Sequence, residues 1–256
     1  MTQMITHQRE QWRGKSVLLF SGGMDSLCMS RLLTPDILLC VDSDTPYSRR
    51  ERQCIEQLID TGDIDGARVI KLDGVLRLSR FERDDAIVPN RNAHLVLLAS
   101  HYGETVFIGA VSGDRSTDKD DAFCALMSTL LDHMWQEQHW TERRTFNVAV
   151  PFKRITKTRM VAQYLARGGT PASLLRSFSC YEGGVHHCGQ CKPCFRKWVA
   201  LTNNDIELSA GYFTHNPWEA GWLPETMNAL RAGTWRGAED REILNALEHV
   251  RARGLA

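Results

Sequence analysis

The stretch SVLLFSGGMDS, residues 16–26, decides the fold class that this sequence predicts. Its apolar run at 17–20 predicts a buried strand, and the apolar stretch at 27–33, after the glycines, predicts a helix. Glycines between a strand and a helix let the backbone approach a ligand closely, while the first N–H groups and the dipole of the helix favour anions. No Lys-Ser/Thr pair follows the glycines, so the stretch is not a Walker loop. It predicts a phosphate-binding turn; the alternative is a tight connection that only needs small residues.

Apolar runs and helix-like segments alternate along the first 150 residues. The predicted strands are 17–20, 37–41, 68–72, 105–110 and 146–150, and the predicted helices are 27–33, 47–59, 92–102 and 122–140. This alternation indicates an α/β fold with a doubly wound, mostly parallel sheet, whose ligands bind beyond the carboxyl ends of the strands. Segments 21–26, 42–47 and 111–121 fall at those ends, so we expect them to share one pocket.

The pattern changes after Pro151. A short amphipathic helix is predicted at 158–167, a cysteine-rich stretch follows it, and a tail with several tryptophans begins after residue 201 and ends in a helical segment at 238–253. We therefore expect a nucleotide-binding domain over residues 1–151 and a smaller, helical, metal-bearing part over residues 152–256.

Composition excludes several classes of protein. Lys and Arg number 31 and Asp and Glu number 31, so no global field attracts nucleic acid or an anionic membrane, and we expect no direct nucleic-acid binding. No run of about twenty apolar residues predicts a membrane span. Residues 1–15 lack the apolar centre of a signal peptide, so we expect a cytoplasmic protein. Eight cysteines in a reducing compartment indicate metal binding or catalysis rather than disulfides.

Four cysteines with the spacing C-x7-C-x2-C-x2-C predict a metal site; they are Cys180, Cys188, Cys191 and Cys194. Four thiolates so spaced can surround a tetrahedral zinc ion and leave it no open position, so we expect a structural zinc. An iron–sulfur cluster uses the same ligands and is one alternative, and free buried thiols are another. The nearby Lys192, Arg196 and Lys197 could offset the negative charge of four thiolates.

Several motifs, in order, resemble those of the 7-cyano-7-deazaguanine synthase family. The first, SGGMDS at 21–26, resembles the SGGxDS loop of the whole PP-loop ATP-pyrophosphatase superfamily, whose fold is of the adenine nucleotide alpha-hydrolase type. The motifs that narrow the resemblance to this family are VPNRN at 88–92, the segment 109–114, ITKTRMV at 155–161 and SCYEGGVHHCGQCKPCFRKWVAL at 179–201. The chain is identified as a divergent member, with the resemblance covering residues 16–201.

The resemblance implies an ATP-dependent ligase that forms AMP and pyrophosphate. Its acceptor would be 7-carboxy-7-deazaguanine or a related deazapurine, activated as an acyl-adenylate, converted with ammonia to an amide and, with a second ATP, to a nitrile. The product would serve queuosine synthesis or the 7-deazaguanine modification of nucleic acids. The resemblance further implies a structural Zn²⁺, Mg²⁺, ATP as co-substrate and, because dimers are common in the family, a homodimer.

The resemblance also implies roles for single residues. Asp25 or Asp114 would carry Mg²⁺, and Lys157 would neutralise the leaving pyrophosphate, with Lys153 and Arg159 as weaker candidates. An exposed basic start of a helix is the alternative for these cations. Arg91 and Asn92 suit a planar ligand or a phosphate, against the alternative of a surface Arg and a helix-capping Asn. The residues expected to bind the nucleotide are Leu19, Phe20, Ser21, Gly22, Gly23, Met24, Asp25, Ser26, Arg91, Asn92 and Gly109.

Two segments depart from the family pattern and leave the acceptor open. Residues 42–47 replace an Asp-Tyr-Gly-Gln type sequence, and residues 115–121 replace Ser-Gly-Tyr-Pro-Asp-Cys-Arg, which would lie over the acceptor. Two other hypotheses therefore stand beside the ligase. One is a PP-loop tRNA sulfurtransferase, which would need a persulfide cysteine or an iron–sulfur cluster. The other is a homologue that binds a nucleotide without turnover.

Overall fold

A five-stranded parallel sheet lies at the centre of the computed structural model, which describes residues 11–84, 87–252 and 254. The strands are β1 (Ser16–Leu19), β2 (Ile37–Val41), β3 (Val69–Leu72), β4 (Thr105–Phe107) and β5 (Asn147–Ala149), in the order β3-β2-β1-β4-β5. The central strands carry continuous apolar runs because both of their faces are covered. The predicted α/β fold with a doubly wound sheet is confirmed.

Nine helices connect and extend the sheet over the described residues. They are α1 (Met24–Leu33), α2 (Ser48–Asp60), α3 (Arg91–Ala99), α4 (Asp121–Met134), α5 (Lys157–Ala166), α6 (Pro171–Arg176), α7 (Lys192–Thr202), α8 (Leu223–Arg231) and α9 (Ala238–Ala252). Side chains cap several of them: Asp120 accepts from the N–H of Phe123 at the start of α4, and Thr156 from the N–H of Arg159 at the start of α5.

Two predicted helices are too long, and one of them, 92–102, is helical only to Ala99. The segment 122–140 is helical only to Met134, because the next residue, Trp135, leaves the helix to pack on Phe146 and under the guanidinium of Arg144. The following residues form a tight antiparallel turn in which Gln138 and Thr141 pair. Arg253 of the last predicted helix and residues 1–10 lie outside the described residues.

The two faces of the sheet carry separate apolar cores. One core joins β1 and β2 to α1, α2, α5, α6 and α7, and the other joins the sheet to α3 and α4. A third cluster packs the tail onto α7, with Phe195 and Trp198 of α7 against Leu223, Leu230 and Ile243 of the tail. The tail, to which the sequence assigned no role, is therefore packed against the helix that follows the cysteines.

The described helices include none with both the length and the apolar character that crossing a membrane requires.

Candidate active site

The glycine turn connects β1 to α1 and is enclosed on both sides. Gly22 has a φ of +72°, which favours glycine, and a Cβ placed there would lie 3.0 Å from Ile55 Cγ1 and 3.5 Å from the carbonyl oxygen of Glu51. A Cβ on Gly23 would lie 3.3 Å from the carbonyl oxygen of Phe178. The small residues thus let α2 and the segment before the cysteines approach the start of α1.

We expect Gly22→Ala to destabilise the chain by about 2–3 kcal/mol, because the left-handed conformation and the contact with Ile55 both resist a Cβ. Gly62→Ala is the matched control, since Gly62 has a φ of +71° with nothing within 4 Å of its Cβ position. We expect about 1 kcal/mol for that variant. Urea denaturation measures the free energy of unfolding of both variants. Equal losses of stability would show that the contact with α2 is unimportant.

A cavity of about 590 Å³ opens at the carboxyl ends of the strands. All three segments that the sequence places at those ends contribute to its lining, and so do residues from both departures from the family pattern, including Asp42, Tyr47, Arg115 and Lys119. The predicted site residues that line the cavity are Leu19, Phe20, Ser21, Gly23, Met24, Asp25, Ser26, Arg91, Asn92, Gly109, Asp114, Lys157 and Cys180. Gly22, Cys188, Cys191 and Cys194 are not among its lining residues; Gly22 contacts α2 instead.

Lys157 and Asp25 meet at the start of α1, although they are 132 positions apart in sequence. The Nζ of Lys157 lies 2.5 Å from Oδ1 and 2.6 Å from Oδ2 of Asp25. Thr156 caps α5 and so fixes the position of the residue that follows it. The buried cation of Lys157 therefore lies beside the glycine turn, where a bound phosphate would need neutralisation.

Asp114 is held by basic groups. Its Oδ1 lies 2.6 Å from Nη1 of Arg196 and its Oδ2 lies 3.0 Å from Nζ of Lys119. Burial alone would raise the pKa of Asp114, but the charges of Arg196 and Lys119 hold it well below its ordinary value. The same guanidinium reaches Glu239 of α9 at 2.7 Å, so α7 joins the loop after β4 to the tail.

These contacts correct the expectation that Arg196 offsets the charge of the thiolates, whereas Lys197 lies close enough to Cys194 for the two charges to attract. Arg196 instead forms ion pairs with Asp114 and Glu239. Lys197 is fully buried and donates to the backbone carbonyl of Ser177 and, at 3.0 Å, to its hydroxyl. Neighbouring positions on α7 point in different directions, so proximity in sequence misled the prediction.

We expect Arg196→Met to cost about 3–5 kcal/mol of stability, because it breaks the ion pair of the buried Glu239 and leaves the buried Asp114 with Lys119 alone. The contribution of Asp114 is complete above its unfolded pKa of about 3.9 and is lost as the pH falls toward its lower folded pKa. Arg154→Met is the control, since its ion pair with Asp121 is exposed, and should change stability by less than about 0.5 kcal/mol. Urea denaturation at neutral pH measures the free energy of unfolding of both variants. Similar losses of stability would contradict the role of Arg196 as the buried ion-pair partner.

The tail contributes to the wall of the cavity. Trp235 and Arg236 line it, and Arg236 Nη1 donates to the carbonyl of Gly113 at 2.9 Å. Arg115 in turn donates to the carbonyl of Thr234 at 3.0 Å. Sequence reasoning missed Trp235, Arg236 and Glu239, because no motif or spacing relates the tail to the loop after β4.

An aromatic pair forms another wall. The rings of Tyr47 and Tyr181 stack with centroids 5.4 Å apart, and Nη1 of Arg91 donates to the hydroxyl of Tyr47 at 2.8 Å. Asn92 is buried as the second residue of α3, while Asn90 occupies the capping position, so the alternative of Asn92 as a helix cap is wrong. This wall combines a flat apolar surface with a cation.

The cysteine cluster fits a zinc ion. The four Sγ atoms of Cys180, Cys188, Cys191 and Cys194 lie within 4.8 Å of one another, and a tetrahedral site with Zn–S bonds of about 2.3 Å places its sulfurs about 3.8 Å apart. The N–H groups of Cys188 and Cys191 donate to the sulfurs of Cys180 and Cys188 at 3.4 and 3.3 Å, which stabilises thiolates. The four cysteines would hold the ion in a closed, structural site.

The carboxylates predicted to carry Mg²⁺ do not fit a protein-held Mg²⁺ site in this arrangement. Both oxygens of Asp25 contact Lys157, and the two oxygens of Asp114 contact Arg196 and Lys119. A cation would have to displace these basic groups, which repel it.

Comparison with known proteins gives a consistent result. Residues 77–205, half of the chain, match the family model described as queuosine biosynthesis protein QueC. The 7-cyano-7-deazaguanine synthase of Hahella chejuensis is 25% identical over 225 residues, which cover 77% of this chain and 93% of that protein. Enzymes of the same name from Rhizobium etli (24% over 240 residues, 80% and 95%) and Porphyromonas gingivalis (25% over 230 residues, 80% and 99%) are similarly related. With its parallel sheet, its cysteine cluster and these relatives, the chain belongs to the QueC family of queuosine biosynthesis proteins.

Proposed function

We propose that this chain is an ATP-dependent ligase that joins ammonia to the carboxylate of a 7-deazapurine, with 7-carboxy-7-deazaguanine as the acceptor that its relatives suggest. AMP and pyrophosphate are the by-products. The observation that carries the proposal is the cavity in which a glycine turn, a buried lysine and an aromatic wall face one another.

The glycine turn and Lys157 suit the first step. A carboxylate oxygen of the acceptor attacks the α-phosphorus of ATP, the new C–O–P linkage forms, and the bond from the α-phosphorus to the bridging oxygen of pyrophosphate breaks. Negative charge collects on the leaving pyrophosphate, where the N–H groups at the start of α1 and the ammonium of Lys157 stabilise it.

Ammonia then displaces AMP. Its lone pair attacks the acyl carbon, the bond to the AMP oxygen breaks, and loss of a proton from nitrogen leaves the amide. A second ATP adenylates the amide oxygen and releases pyrophosphate, and loss of AMP and of both protons from the nitrogen then gives the nitrile. Positioning and charge neutralisation supply most of what the protein contributes, because AMP is already a good leaving group.

Bound metal has a limited place in this scheme. Zinc at the cysteines would supply stability and no chemistry, because four thiolates leave it no open position. Mg²⁺ enters with ATP as the substrate complex.

The sulfurtransferase hypothesis fits this cavity less well. Among the described residues, Cys40 is the one cysteine outside the cluster that lines the cavity. Burial raises the pKa of the Cys40 thiol to about 12, so the thiolate that a persulfide mechanism requires is disfavoured. A cytoplasmic location, homodimerisation and the division at residue 151 stay predictions from the sequence.

The test supplies the protein with MgATP, ammonia and 7-carboxy-7-deazaguanine and measures nucleotides and pyrophosphate together. We expect AMP and pyrophosphate in equal amounts that depend on the acceptor, with the amide or nitrile detected by mass spectrometry. Release of ADP would contradict the mechanism. Binding of ATP without cleavage, across a panel of carboxylated bases, would favour the homologue that binds without turnover.

A further inference from the structure

One cavity carboxylate is not accounted for by the mechanism. Five carboxylates line the cavity, and four of them contact basic side chains in the pairs Lys157–Asp25, Arg52–Asp42, Arg52–Asp73 and Arg196–Asp114. The fifth belongs to Glu51, whose carboxylate accepts no hydrogen bond and forms no ion pair within 4 Å among the residues that the structure describes. This half-buried carboxylate therefore has two acceptor oxygens that are available to a ligand in the cavity.

The position of Glu51 places it between the aromatic wall and the glycine turn. It lies one turn of α2 after Tyr47, whose ring stacks on Tyr181. Its backbone oxygen is 3.5 Å from the position of a Cβ on Gly22. Glu51, Tyr47 and Tyr181 line the same cavity as the glycine turn, so one planar ligand on the aromatic wall could contact Glu51 and also reach toward the turn.

The environment of Glu51 also disfavours the ionised carboxylate when no ligand is bound. Burial raises the pKa of the Glu51 carboxyl to about 7; the nearby Arg91 opposes this rise and Asp42 adds to it. A ligand that donates two hydrogen bonds would stabilise the carboxylate and satisfy both oxygens at once.

A guanine-type base has the matching edge. Its ring N1–H and exocyclic 2-amino group present two adjacent, parallel donors, and a 7-deazaguanine keeps both of them. A carboxylate accepts such a pair in a bidentate manner, whereas it repels the ring acceptor of an adenine-type edge. The 7-substituent projects from the opposite side of the base, away from this edge.

We propose that Glu51 is a specificity-determining residue that accepts hydrogen bonds from N1–H and the 2-amino group of the acceptor base, with Tyr47 and Tyr181 forming the flat wall beside it. This inference rests on the proposed function, since it assumes that a deazapurine carboxylate is the acceptor. It assigns Glu51 to the acceptor rather than to the nucleotide or to proton transfer from ammonia.

The experiment compares two acceptors, 7-carboxy-7-deazaguanine and its analogue without the 2-amino group, in the full-length chain. The wild type should prefer the first in kcat/KM by at least about thirtyfold, because a carboxylate covered by the bound base that loses one of two donors is left partly unsatisfied. Glu51→Gln should lower kcat/KM for the first acceptor by at least about tenfold and reduce the preference to within about threefold, while the KM for ATP stays within about twofold. Glu51→Asp keeps the charge but shortens the side chain. Its preference for the first acceptor should lie between that of the wild type and that of Glu51→Gln.

Asp60→Asn is the control, an exposed position on the same helix, and should behave as the wild type. An unchanged preference in Glu51→Gln, or a raised KM for ATP with the preference retained, would overturn the proposal, and so would a wild type that uses both acceptors equally. In each of those cases AMP and pyrophosphate still form, so the proposed function stands. A wild type that cleaves ATP with neither base refutes the proposed function and this inference together.

Discussion

Lys157→Met should lower the rate of AMP formation by at least about a thousandfold while the chain stays folded. The substitution removes the ammonium that lies 2.5 Å from Asp25 beside the glycine turn but keeps an apolar stem of similar length. The leaving pyrophosphate would then lack the cation beside the glycine turn, and the carboxylate of Asp25 would face it without its partner. The measurement is initial-rate AMP formation at saturating ATP and acceptor.

Arg159→Met is the matched control for this prediction. Arg159 lies on α5 half a turn beyond Lys157, is exposed and does not line the cavity. We expect its turnover to remain within about twofold of the wild type. An inactive Arg159→Met beside an active Lys157→Met would contradict the prediction. It would mean that Arg159, and not Lys157, neutralises the pyrophosphate.

Cys191→Ser should release the metal and unfold at least the segment around α7. Apparent binding free energies for structural zinc are about 10–16 kcal/mol, which is as large as the usual stability of a whole domain, about 5–15 kcal/mol, and a serine hydroxyl is a poor replacement for a thiolate. Cys191 is the residue directly before α7, and α7 carries Arg196 and Trp198, so the cavity wall and the tail should be lost with the cluster. Metal analysis and thermal melting by circular dichroism measure both effects.

Cys124→Ser provides the control, because Cys124 is buried on α4 but lies outside the cluster. It should keep one zinc per chain and lose only about 1–2 kcal/mol of stability. A Cys191→Ser variant that retains a full equivalent of zinc and the melting temperature of the wild type would contradict the structural role. If the wild type is brown and contains iron, the four cysteines hold an iron–sulfur cluster instead of zinc.

The sheet and the cluster could be predicted because each is encoded locally. The apolar runs of β1 and β2 are continuous since both faces are buried, and the glycines of the turn mark the junction that follows β1. The four cysteines lie within one short segment, so their spacing alone indicates a shared ligand. The end of α4 was not predictable, because it depends on the packing of Trp135 against residues that come later in the chain.

The ion pairs of the cavity could not be predicted from local sequence patterns. The sequence indicates that Asp114 and Lys157 belong to the site, but it does not reveal their partners. The pair between Arg196 and Asp114 spans 82 positions, and the contact of Arg196 with Glu239 reaches a tail that carries no motif. Such pairs are determined by how α7 and α9 pack. Only the folded chain therefore reveals that Asp114 forms ion pairs and that Glu51 forms none among the described residues.

The most direct test of the central claim, that this cavity transfers the AMP moiety of ATP to a carboxylate, uses an acceptor labelled with ¹⁸O in its carboxylate. One turnover with ammonia should place one ¹⁸O atom in AMP and none in pyrophosphate, as mass spectrometry of the separated products would show, because the acceptor oxygen leaves with the α-phosphorus. Label found in inorganic phosphate, together with ADP, would mean that the γ-phosphoryl group is transferred instead. That result would mean that the glycine turn and Lys157 do not stabilise a leaving pyrophosphate.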